Sequence, residues 1–188
     1  MAQPLFLDLD GCLVAFEDGV VRVCGARPEE VRKSMWPKLA AVAGGGADGF
    51  FATLGWERGG KELWAFSRQH MPHILTGAPM GTWAEPQKRA WCARELGLCS
   101  SSRVTVCLKH EKAARAVALL RLAGGGLGGA VLVDDTAGAA DAWEAAGGVF
   151  VHHKADDVES TLRRLRELGF SGESGDAAGG GGGAGSRG

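Results

Sequence analysis

Five short apolar runs set the tightest limit on how this chain can fold: LFLD at residues 5–8, HILT at 73–76, VTVCL at 104–108, AVLVD at 130–134 and VFVH at 149–152. Each is too short for a helix and apolar without strict alternation, the pattern of strands buried on both faces. Helical patterns separate the later runs. TWAEPQKRAWCARELG (82–97) carries a capping-box signature in Thr82 and Glu85, tolerates Pro86 in its first turn and stops at Gly97. HEKAARAVALLRLAGG (110–125) ends in glycines. DDVESTLRRLRELG (156–169) spaces Val158, Leu162, Leu165 and Leu168 as a helix does, with Asp156 and Glu159 as the expected cap. Strands alternating with helices predict an α/β fold, a mostly parallel five-stranded sheet covered on both faces. Its site should lie beyond the carboxyl ends of the strands.

Residues 20–71 break this rhythm. They are rich in Trp36, Phe50, Phe51, Trp56, Trp64 and Phe66 and show short helical runs without a convincing strand, which predicts a small helical cap inserted after the first strand. The core domain is then 1–19 with 72–170. The glycine-dominated stretch 171–188 lacks the large apolar residues needed to offset ordering and is expected to be disordered. With 188 residues the chain is long enough for one core of ordinary size.

Lys and Arg (21) nearly balance Asp and Glu (22), so no basic field recommends a long nucleic acid as partner. No uninterrupted apolar run is long enough to span a bilayer, and no charged leader precedes an apolar signal core. The five cysteines contain no CxxC pair and read as reduced thiols, so a cytoplasmic location is expected.

Asp8 and Asp10 sit two apart at the end of the first run. If both lie on the strand they share a face, and like charges crowd unless something positive sits between them. Companions share that address. Thr76 and Gly77 follow HIL, Lys109 and Lys112 follow VTVCL, and Asp134 and Asp135 follow VLV. In a parallel sheet all converge on one edge, where paired acids, a hydroxyl and a lysine suit a divalent cation with oxygen ligands and a phosphate.

DLDGCL, ILTG, a lysine and VLVDD, in this order from Asp8 to Asp135, resemble the four motifs of the magnesium-dependent phosphatases of the haloacid dehalogenase superfamily. The resemblance implies a Rossmann-like core in which Asp8 is the nucleophile and Asp10 the general acid and then base. It implies that Thr76 hydrogen-bonds the phosphoryl group and that a lysine offsets its charge. Family position favours Lys112, at the start of the following helix, over Lys109. The resemblance further implies Mg²⁺ held by the Asp8 carboxylate, the Asp10 backbone carbonyl and Asp134, with Asp135 ligating directly or through water.

The early cap and the KRAWCARELG helix look most like the 5′(3′)-deoxyribonucleotidase group, although TGAPMGTWAEP lacks the serine and proline usual there after the threonine. This implies a small phosphomonoester, a nucleoside monophosphate first, with Phe50, Phe51, Trp56 or Trp64 stacking on the base. Alternatives are nucleic-acid ends, sugar phosphates, or a catalytically idle binder of a phosphorylated ligand. Gly77 is a further phosphate-side candidate. Lys88 reads either as a phosphate contact or as a solvated helix lysine.

Other residues read as packing. His152 and His153 point to opposite faces if extended, so they do not share an ion. Cys12 has no evident activating base beside it. The glycines of 123–131 precede a strand, unlike a phosphate cradle, which follows one.

Overall fold

The computed structural model describes residues 3–42, 48–99 and 101–171. Nearly all of the expected glycine-rich tail lies outside the described residues. The five runs form strands β1 (Leu5–Leu7), β2 (His73–Gly77), β3 (Val104–Cys107), β4 (Val131–Asp134) and β5 (Val149–His152). They build one sheet in the order β3-β2-β1-β4-β5, and every neighbouring pair is parallel. The two-residue period explains why the runs look apolar throughout. Leu5 and Leu7 of β1, Ile74 of β2, and Val131 and Val133 of β4 enter one core, while Phe6, Leu75 and Leu132 enter a second core on the opposite face.

The first core is the larger. Among the described residues four α-helices lie between β1 and β2: α1 (Phe16–Cys24), α2 (Pro28–Val31), α3 (Met35–Ala40) and α4 (Gly60–Ser67). Their Val20, Met35, Leu39, Leu63 and Phe66 join this core, together with Trp91 from α5 (Ala84–Leu96) and Leu162 and Leu165 from α8 (Val158–Glu167). The opposite face is covered by α6 (Lys112–Leu122) and α7 (Ala140–Ala145), through Ala116 and Trp143. The helical segment thus shares a hydrophobic core with the sheet, and its first helix begins four residues ahead of the expected boundary at Val20. Among the described residues no helix is long and apolar enough to cross a membrane.

Local signals fared unevenly. Gly97 ends α5 in the left-handed region at φ 70°, as its position predicts. The Thr82–Glu85 capping box does not form: α5 starts at Ala84, and Glu85 instead pairs with Arg89 at 2.8 Å. At α8 the cap is Asp157, whose carboxylate accepts from Ser160 N at 3.2 Å, not Asp156 with Glu159. Glu159 points outward to Arg166 at 2.7 Å. In both cases an exposed carboxylate finds a cation along its own helix. His153 is buried against Thr161 Oγ1 at 2.9 Å and His152 lies on the other side, bonding the Asp135 carbonyl at 2.9 Å, so the adjacent histidines do diverge.

Candidate active site

β1 ends at Leu7, so Asp8 and Asp10 are not strand residues, contrary to the alternation argument. Asp8 N still donates to Val133 O at 2.9 Å, which holds it in line with the sheet beside β4. The chain then curls: Leu13 N and Val14 N both return to Leu9 O at 2.9 Å. A tight loop, rather than the pleat, brings the two acids to one place. Gly11, at φ 71°, makes the curl possible, and a Cβ there would collide with the Asp135 carboxylate. The chain winds outward in two directions from β1, so the crevice between the ends of β1 and β4 is the switch point of the sheet.

Lys112, at the first turn of α6, reaches that crevice. Its Nζ lies 2.9 Å from Asp8 Oδ2 and 2.6 Å from Asp134 Oδ2, and all three side chains are buried. Lys109 is exposed and lies on the cavity wall without an ion pair among the described residues. Lys88 is fully buried, with Nζ 2.6 Å from Asp10 Oδ2 and 3.0 Å from Thr76 Oγ1. It is therefore not a solvated helix lysine.

Carboxylate oxygens of Asp8, Asp134 and Asp135 lie within 4.8 Å of one another. Four carboxylates crowd this edge against two ammonium groups, and the protonation equilibria carry the mark of it. Asp135 is pushed up to about 7, by lost hydration first and then by the charges of Asp8 and Asp134. Burial, then the Asp8 charge, raises Asp134 against the pull of Lys112. Burial also raises Asp10, partly countered by Lys88. For Lys112 burial acts downward, but Asp8 and Asp134 outweigh it and the ammonium is held charged. An all-oxygen donor set with negative charge in excess fits a hard divalent cation. Burial and the neighbouring acids push the Cys12 thiol well up, so it is no nucleophile at neutral pH.

Above the acids opens a cavity of about 590 Å³. Asp8, Asp10 and Asp135 line its floor, Phe16, Trp36 and Phe51 its aromatic wall, and Gly77, Lys109 and Met80 its β2 and β3 side. This places the aromatic candidates differently from one another. Phe51 lines the cavity. Phe50 is fully buried, edge-on to Phe51 at 5.0 Å. Trp56 packs on Trp91 at 5.0 Å and donates to Glu95 at 2.8 Å, and Trp64 packs against the larger core. Neither Trp56 nor Trp64 lines the cavity.

Sequence reasoning passed over Phe16 and counted Trp36 among the cap aromatics without choosing it for the base; their rings lie 6.0 Å apart. The available signal was the pattern of α3: Met35 and Leu39 mark its buried face, and Trp36, one position round, sits at the edge of that face.

Parallel strands in a doubly wound order, with acids gathered at the central strand ends, define a Rossmann-like α/β architecture with a strand-edge acidic centre. The fold is that of a haloacid dehalogenase family enzyme from Bacteroides thetaiotaomicron, solved as a magnesium complex. The two share 12% sequence identity at a TM-score of 0.51, over 86% of this chain and 98% of that one. No protein-family model matches the chain, and no curated protein does.

Proposed function

We propose that this protein is a Mg²⁺-dependent phosphomonoesterase acting on a small phosphorylated metabolite, a nucleoside monophosphate first, through an aspartyl-phosphate. The observation that carries the reading is Asp8. It is a carboxylate at the end of the central strand, clamped by a buried ammonium, on the floor of a cavity, with a second acid two residues on. The similarity in fold to a magnesium-containing enzyme supports it. In this reading the helices between β1 and β2 are a cap that shapes the substrate cavity.

An oxygen of Asp8 attacks phosphorus and the ester P–O bond breaks. Asp10, whose pKa is raised by burial, gives its proton to the leaving alkoxide. Asp10 then takes a proton from the water that attacks the acyl phosphate, the bond from phosphorus to Asp8 breaks, and phosphate leaves. Lys112 offsets the charge of Asp8 throughout. At the end of β2, Gly77 lines the cavity, while Thr76 is buried beside it with its hydroxyl accepting from Lys88 at 3.0 Å. Asp8, Asp134, Asp135 and the Asp10 carbonyl would hold Mg²⁺, which supplies positive charge to the phosphoryl oxygens. Because Asp135 protonates near pH 7, Mg²⁺ affinity should weaken as the pH falls from 8 to 6. Calorimetric titration at the two values checks this, and equal affinity would count against Asp135 as a ligand.

The cavity volume lies within the range of small-molecule sites. An aromatic wall facing an acidic floor suits a planar group joined to a phosphate. The test is phosphate release from ribo- and deoxyribonucleoside monophosphates, sugar phosphates and phosphorylated oligonucleotide ends. Trp36→Ala should weaken nucleotide affinity by about 1–3 kcal/mol while sparing an aryl phosphate. Preference for a sugar phosphate, with Trp36→Ala silent, would remove the nucleotide assignment but leave the chemistry.

A further inference from the structure

Lys88 stands on α5, away from the strand ends that supply the site's carboxylates, yet it is among the most deeply buried side chains of the described residues. An ammonium group has three N–H donors. One goes to Asp10 Oδ2 at 2.6 Å and one to Thr76 Oγ1 at 3.0 Å, and the group lies 4.4 Å from the centre of the Phe51 ring. Phe51 is itself fixed from α5, since the preceding side chain, Gln87, accepts from Phe51 N at 2.9 Å. Lys88 thus packs on a ring that lines the cavity. Lys88 is fully buried and does not line the cavity.

Asp10 shows the complementary asymmetry. Oδ2 is gripped by Lys88, while Oδ1 is buried and has no hydrogen-bond partner among the described residues. Without the grip, the carboxyl group could turn about its side-chain torsions and present either oxygen or neither. With it, the group is fixed in one orientation on the cavity floor, where 26% of the side chain is exposed.

We propose that Lys88 is a positioning residue for Asp10, holding its carboxyl group in the orientation that meets the leaving oxygen, and is not a phosphate ligand. This rests on the phosphatase reading above. It implies a dependence on the leaving group that neither a phosphate ligand nor a structural lysine would produce. An alkoxide must be protonated as it departs, whereas dinitrophenolate leaves without a proton.

The experiment compares kcat/KM for adenosine 5′-monophosphate and for 2,4-dinitrophenyl phosphate, in the native protein and in Lys88→Met. This parameter covers the steps up to release of the alcohol. Loss of the oriented acid should lower the nucleotide value by roughly 100-fold and the dinitrophenyl value by less than about five-fold. Equal losses on both esters would overturn the proposal and make Lys88 a phosphate ligand or a purely structural residue. Should Lys88→Met fail to fold, Lys88→Gln, which keeps a neutral donor, provides the same comparison.

A second measurement places Lys88→Met in an Asp10→Asn background. If Lys88 acts through Asp10, it should then change dinitrophenyl phosphate turnover by less than about two-fold, and a further loss of about ten-fold or more would overturn the proposal. Native protein inactive on both esters would overturn the phosphatase reading itself, and the inference with it.

Discussion

Asp8→Asn is expected to lower phosphate release by about 10⁴-fold or more while leaving the fold as stable as before, or more so. The amide keeps the shape of the carboxylate but is not a nucleophile toward phosphorus. The stability half of the prediction follows from the charges around it. Asp8 contributes to raising both Asp134 and Asp135 above the ordinary carboxylate range. A carboxyl group whose folded pKa is raised costs stability as the pH climbs through and above its unfolded pKa of about 4, because the folded state disfavours its ionisation. Removing the Asp8 charge relieves that cost in the metal-free protein at pH 8, and Lys112 retains its bond to Asp134. Phosphate release and thermal unfolding, measured on the same preparation, check both halves. Activity retained by Asp8→Asn would end its assignment as nucleophile. Activity lost together with a much lower melting temperature would point to a structural role.

The second large effect belongs to Lys112, and its sign is opposite. Lys112→Met removes the only positive charge in contact with Asp8 and Asp134 among the described residues and leaves both buried acids facing each other. Breaking a buried ion cluster by deleting one partner costs about 3–5 kcal/mol. For a chain of this size the melting temperature should fall by roughly 10 °C. Mg²⁺ should restore part of the loss, since a cation among the same carboxylates replaces the missing charge. Lys109→Met, an exposed neighbour three residues away, should stay within about 0.5 kcal/mol of the native protein. Chemical denaturation of the two variants with and without Mg²⁺ checks the contrast, and a loss of under about 1 kcal/mol for Lys112→Met would show that the cluster is not organised by this lysine.

The sheet was readable because burial on both faces leaves strands that are apolar at most positions, and β5 was expected over the residues it occupies. The address of Asp8, Lys112 and Asp134 was readable for the same reason, since polar residues at the end of an apolar run mark the edge of a sheet. The capping residues were less legible. Thr82, Asp156 and Asp157 are all competent caps by composition, and a turn of chain geometry decides which one meets a free N–H. The cause of the meeting between Asp8 and Asp10 was also misplaced. A strand and a tight glycine loop write the same letters, and the return of Leu13 and Val14 to Leu9 O selects the loop.

By itself, then, the sequence determined what short-range patterning can carry: strands, helices, their order, and which polar groups reach one edge. Tertiary structure alone decided which aromatic rings face the cavity and which groups Lys88 meets. Phe50 and Phe51 are neighbours of one chemistry, yet one is sealed in the core and the other lines the site. The same aromatic residue serves a core or a ligand wall, because both are apolar surfaces removed from water. Only the packing of distant segments determines which of the two a given ring joins, and only that packing carried an α5 lysine to an acid 78 residues away.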